Sequence, residues 1–203
     1  MAFASLDELQ AYVQQQVDPV TGALLLDLAT AEIQGYTGQT IEAVADETVR
    51  LVGNWSHQLE LPERPVTAVT SVTMIDPQVS QVLVQNQDYT WQRRGLLWRP
   101  RGYSLATERT FDIGIYANWG GPDREVEVTY SHGYATPPVF VKKICLEMAK
   151  RVIVNPSGVM REAIDGYNTA YDRNIPPGVS LEQSEEKRLN RLRRTSYTAR
   201  VQS

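Results

Sequence analysis

Two histidines, His57 and His132, are the only imidazoles in this sequence, so proton transfer near neutral pH would start from them. His132 sits in VEVTYSHGYATPP, Val126 to Pro138. Its neighbours Tyr130 and Ser131 supply neither a nucleophile elbow nor an HExxH metal pattern. The same stretch reads more simply as construction: His132 enters a tight turn as the chain leaves a strand, and Gly133 supplies a positive φ. His57, in NWSHQLEL, reads as a surface or partly buried residue of a β-region. The 24 carboxylates suggest a glycosidase pair as a second chemistry, but such pairs meet only in the fold. Glu125 and Glu127 alternate with Val126 and Val128, which puts them on the outer face of a half-buried strand. Phosphate cradling has less support, since there is no GxGxxG or GxxxxGK[ST], and Gly120-Gly121 runs into Pro122 as a hairpin turn would. The single cysteine, Cys145, closes no disulfide within the chain and has no metal-ligand spacing around it, which fits synthesis inside a cell. Trp55, Trp91, Trp98 and Trp119 could stack sugars or bases, yet all four fall where pleated faces ordinarily pack aromatics. Arg93, Arg94, Arg99 and Arg101 around LLW suit a rim or subunit contact better than a nucleic-acid face, because acids elsewhere in the region offset them. No enzymatic activity, cofactor or metal is expected.

The elements that would position these residues change period twice. Ser5-Leu6-Asp7-Glu8 is a capping box, and Leu6, Leu9, Val13 and Val17 follow at spacings of three and four until Asp18-Pro19. A second helical pattern runs from about Val20 to Gln34 and is expected to end at Gly35. From about Glu47 the period alternates. Strands are expected at Thr48–Val52, Trp55–Leu61, Val66–Ile75, Val79–Gln85, Tyr89–Arg93, Leu96–Arg99, Phe111–Tyr116 and Arg124–Ser131. Pro137-Pro138 closes that region and launches VFVKKICLEMAKRVIV, a helix stopped by Asn155-Pro156. Val141, Ile144, Cys145, Met148 and Val152 share one face, and Lys142, Lys143, Lys150 and Arg151 share the exposed one. The expected class is α+β: a small helical bundle with an inserted antiparallel β-domain, barrel-like or sandwich. Its parts are a helical hairpin (1–46), the β-insertion (47–136), a long core helix (137–156), an extended arm (157–179) and a basic helix with tail (180–203).

Charge is uneven along this order. Residues 180–203 carry six Lys/Arg against three Glu, a net of +3, which leaves −7 of the total −4 for residues 1–179. Ser180-Leu181-Glu182-Gln183 reads as a second capping box, opening a helix whose large apolar residues are only Leu181, Leu189 and Leu192. Arg188, Arg191, Arg193 and Arg194 project around it. A helix this polar either stays solvated or docks onto an acidic partner. The N-terminus lacks a basic region followed by an apolar run, and no segment has the length of apolar sequence a membrane helix needs, so export and membrane spanning are not expected.

The chain resembles the head-tail connector, or adaptor, proteins of long-tailed bacteriophages. The resemblance rests on LLLDLATAEIQGYTGQTI in the early helices, LPERPVTAVTSVTMI opening the insertion, VEVTYSHGYATPPVFVKKICLEMAKRVIVNP at the junction, and REAIDGYNTAY before the basic helix. These cover most of the chain in order. The segment from Gln78 to Asp123 departs from the pattern. The resemblance implies a non-enzymatic virion protein of the head-tail neck, made in the host bacterial cytoplasm. It would form a twelve-subunit ring under the portal, meet the next neck or tail-completion protein below, and line the channel through which double-stranded DNA passes. On that reading Lys142, Lys143, Lys150 and Arg151 make lateral contacts, and Leu181, Arg188, Leu189, Arg191, Leu192, Arg193 and Arg194 grip the portal as a weakly tethered arm. Tyr130, Gly133, Tyr134, Pro137, Pro138, Asn155 and Pro156 build the junctions of the core helix. A tail-completion or tail-terminator neck protein is the alternative, and a carbohydrate-binding module or hydrolase on the aromatic β-domain is a remote one.

Overall fold

The computed structural model describes residues 2–75, 80–99, 118–156, 161–164, 167–170 and 178–194. The expected strand at Phe111–Tyr116, most of the arm and the tail beyond Arg194 lie outside the described residues. The fold is α+β, and it divides into two compact units: residues 1–39 with 137–193, and residues 40–136 with 194–203.

The helical unit begins where its sequence says it should. Helix α1 (Leu6–Val13) is capped reciprocally by Ser5 and Glu8, the serine Oγ accepting from Glu8 N at 3.2 Å and the glutamate accepting from Ser5 N at 3.0 Å. Helix α2 (Pro19–Thr37) has Asp18 as its cap and Pro19 at its first position. It runs through the expected stop at Gly35 and ends where Gly38 takes the left-handed conformation. Helix α3 (Val139–Val154) starts at Pro138 and ends at Asn155. The core of this unit is an inward row on each long helix: Leu25, Leu26, Ala29 and Ile33 on α2, and Val141, Ile144, Cys145 and Met148 on α3. Burying a side chain of this size contributes about 1.5–3 kcal/mol.

In the other unit, strands β1 (Val44–Val52), β3 (Val66–Ile75), β4 (Ser80–Val82) and β7 (Glu125–His132) form an antiparallel sheet in the order β1-β7-β3-β4. Strands β2 (Gln58–Glu60), β5 (Thr90–Gln92) and β6 (Leu96–Trp98) form a second, in the order β2-β6-β5. The two sheets share one apolar core, to which Leu51, Leu59, Val72, Leu97, Trp119 and Val128 belong. Strand β1 starts earlier than its composition suggests, because a bulge between Val44 and Glu47 lets Asp46 adopt a positive φ and keeps the pairing with β7. Strands β8 (Arg161–Ile164) and β9 (Tyr167–Ala170) pair antiparallel in the segment expected to be an extended arm. Helix α4 (Gln183–Leu189) closes the described chain. Its cap is Glu182, which forms the capping box with Glu185, so the box lies two residues beyond the Ser180 start expected from sequence.

Candidate functional site

Strand β7 alternates strictly, with Val126, Val128, Tyr130 and His132 buried and Glu125, Glu127, Thr129 and Ser131 turned outward. Glu127 accepts from Arg50 on β1 at 2.9 Å, so the outer glutamates are cross-strand partners rather than an acid pair. His132 departs from expectation. It is not a turn residue but the last residue of the strand, only 1% exposed, because the strand's period places it on the core face after Tyr130. Its Nε2 lies 2.9 Å from Glu47 Oε2, and its ring stands 5.2 Å from that of Tyr130. A ring sealed this far from solvent cannot meet a substrate, so the pair acts in construction.

The turn itself falls to Gly133. Its φ is +86°, its N–H donates to Pro65 O at 2.9 Å, and a β-carbon there would run into the Glu42 carbonyl. Tyr134 then pairs with the start of the insertion, its N–H donating to Ile41 O at 2.9 Å and its carbonyl accepting from Ala43 N at 3.1 Å. The first and last segments of the insertion are therefore bridged to each other. Tyr130 adds a buried tie by accepting from Glu63 N at 3.3 Å.

The lateral-contact candidates share a helix but not a fate. Lys143 is exposed and reaches Glu147 at 3.4 Å, and Lys150 is exposed over the Tyr12 ring at 5.3 Å. Lys142 donates to Glu8 Oε1 at 2.7 Å, which, with the capping bond from Ser5, holds the Glu8 carboxyl below its ordinary value. Arg151 corrects the expectation of a uniformly exposed face. Its side chain is 14% exposed, and its guanidinium donates to Glu182 Oε1 at 2.7 Å, to both oxygens of Glu185 at 2.8 and 3.0 Å, and to Ser180 O at 2.7 Å.

That clamp also corrects the picture of a weakly tethered basic helix. Glu185 and Leu189 are buried on α4, Leu181 and Leu192 are half-buried, and Tyr36 donates to Asn190 Oδ1 at 2.8 Å. Arg191 lies over the Phe140 ring and Arg193 over the Tyr36 ring, at 5.2 and 5.3 Å. Arg188 is exposed and Arg194 half-buried. Sequence reasoning counted leucines and missed an arginine some thirty residues upstream; the signal available was the acidic trio Glu182, Glu185 and Glu186 at the start of the last helix, set against the cations Lys142, Lys143, Lys150 and Arg151 of the long one.

The aromatic residues divide. Trp119 is core, donating its indole N–H to His57 O at 3.0 Å; Trp91 is half-buried; Trp55 and Trp98 are exposed. Arg99 packs on Trp119, and burial lowers its pKa. Arg93 and Arg94 are exposed, and Arg101 is outside the described residues. Among the described residues no group of three His, Cys, Asp or Glu could hold a metal, and no helix is long and apolar enough to cross a membrane. Burial pushes the Cys145 thiol up to about 11, so it is no nucleophile.

No family model matches this sequence, and no curated protein does. Among solved structures the chain is similar to a subunit from the neck of an empty gene transfer agent (GTA) particle computed with C6 symmetry, at 17% identity, a TM-score of 0.51, and coverage of 96% of this chain and 91% of that one. A chain from the neck of the native particle with C12 symmetry aligns at 17% identity and a TM-score of 0.48, over 95% and 89% of the two chains. The first of these likenesses shows a common fold.

Proposed function

We propose that this chain is a structural, non-catalytic subunit of the neck of a phage-like particle, a ring component beneath the portal that joins capsid to tail and lines the DNA channel. The observation that carries the reading is the likeness of fold to a neck subunit over 96% of the chain, with helical unit and β-insertion both included. The geometry supports it. His132, paired with Glu47, is sealed and structural, while exposed Lys and Arg side chains offer surfaces for contact. Lys143 and Lys150 are the lateral contacts; Lys142 and Arg151 contribute by holding α1 and α4 in place. Helix α4 and the turn after it present Arg188, Arg191 and Arg193, with Arg194 beside them, as a basic face for portal, and Leu181, Leu189 and Leu192 anchor that face from behind. The −7 carried by residues 1–179 suits a channel wall that repels phosphate and lets DNA slide.

Electron microscopy of the purified protein, alone and mixed with portal complexes and with tail tubes, tests the reading. Rings that form on portal are the expected result. Rings capping only tail tubes would make the chain a tail-completion protein, and association with neither would sink the neck reading.

A further inference from the structure

Helix α2 is apolar on two opposite sides. Leu25, Leu26, Ala29 and Ile33 fill the core, yet Val20, Leu24 and Leu28 are 78%, 57% and 47% exposed. Spaced by four, these three form one row with Ala31 and Gly35, about 22 Å long at 1.5 Å per residue. The only charged residues of α2, Asp27 and Glu32, are exposed and flank the row on either side. Helix α3 carries a second outward row of the same length: Val139 (84% exposed) and Val154 (50%) at its ends, Lys143 and Lys150 between them, with Glu147 alongside Lys143.

The charges decide how such rows can pair between copies. An α2 row against its own copy across a two-fold axis would set acids against acids, and an α3 row against itself would set lysines against lysines. Placed against each other, Asp27 and Glu32 face Lys143 and Lys150 while valines and leucines cover one another. We propose that the outward row of α2 on one copy docks onto the outward row of α3 on a second copy of this chain, a head-to-tail contact in which every subunit uses both surfaces. A repeated contact of that kind closes into a ring when the rotation between neighbours closes and otherwise runs on as a filament, whereas a self-complementary patch stops at a dimer. The proposal deepens the ring reading above and rests on it.

Cysteines near the middle of each row meet whichever way the two helices run, so full-length chain with Ala31→Cys and Glu147→Cys is treated with a bismaleimide, alone and mixed with portal complexes, in the same samples that are imaged. Buried Cys145 serves as the unreactive background. The double variant is expected to give a ladder of dimers, trimers and higher species, each single variant to stay monomeric, and an equal mixture of the two singles to stop at dimers. Adding Leu24→Asp and Leu28→Asp is expected to abolish the ladder with the far-ultraviolet dichroism unchanged. Dimers from the Ala31→Cys single variant alone would overturn the proposal in favour of two-fold pairing. Rings seen by microscopy without a ladder would overturn this assignment and leave the ring standing; neither rings nor ladder would remove both.

Discussion

At the scale of single residues, this molecule spends its polar groups on holding the chain. His132 and Glu47 meet across 85 positions of sequence, and Gly133 turns the backbone where only the smallest residue fits. Gly133→Ala is expected to cost about 2–3 kcal/mol, since it adds left-handed strain to a clash with the Glu42 backbone. Gly178 separates the two contributions. It has a similar φ, +77°, with open space around it, so Gly178→Ala should cost only about 1 kcal/mol. Chemical denaturation of both variants checks the difference, and equal costs would show that the Glu42 carbonyl yields.

At the scale of elements, α4 owes its place to charge as much as to leucine. Arg151→Met leaves Glu185, 3% exposed, without its guanidinium, and should cost about 3 kcal/mol, or roughly 12–24 °C in the melting of the helical unit. Arg151→Met with Glu185→Leu should recover at least half of that loss, because the uncompensated charge is then gone; calorimetry on the two variants and the parent decides. This element also marks the limit of what could be read in advance. Strand β3 was legible to the residue, Val66 to Ile75, and the α1 capping box was legible in four letters, because each depends on neighbours in sequence. Arg151 looked like one more exposed cation, His132 like a turn residue and the last helix like a loose arm. Arg151 and the last helix were settled by partners on other elements that no local pattern announces, whereas His132 needed only the alternation of β7 carried one residue further. The outward faces of α2 and α3 sit between these cases: their residues were visible in the periodicity, but which face stayed uncovered needed the packing.

At the scale of the whole molecule, two cores share one chain. The β core takes its buried residues from 49–130, and the helical core from residues on either side of that stretch. A fragment spanning residues 40–136 is therefore expected to fold alone with a cooperative transition followed by tryptophan fluorescence, to which buried Trp119 contributes; a broad, non-cooperative melt would mean that the β core needs the rest of the chain. The bridge between Ile41, Ala43 and Tyr134 has a consequence for how such a chain can change over time. Because the insertion departs and returns at one doorway, the helical unit experiences it as a short closed loop, whatever its length. The cassette behind that doorway can lengthen, shrink or be exchanged for another without moving the ends that the helices must join.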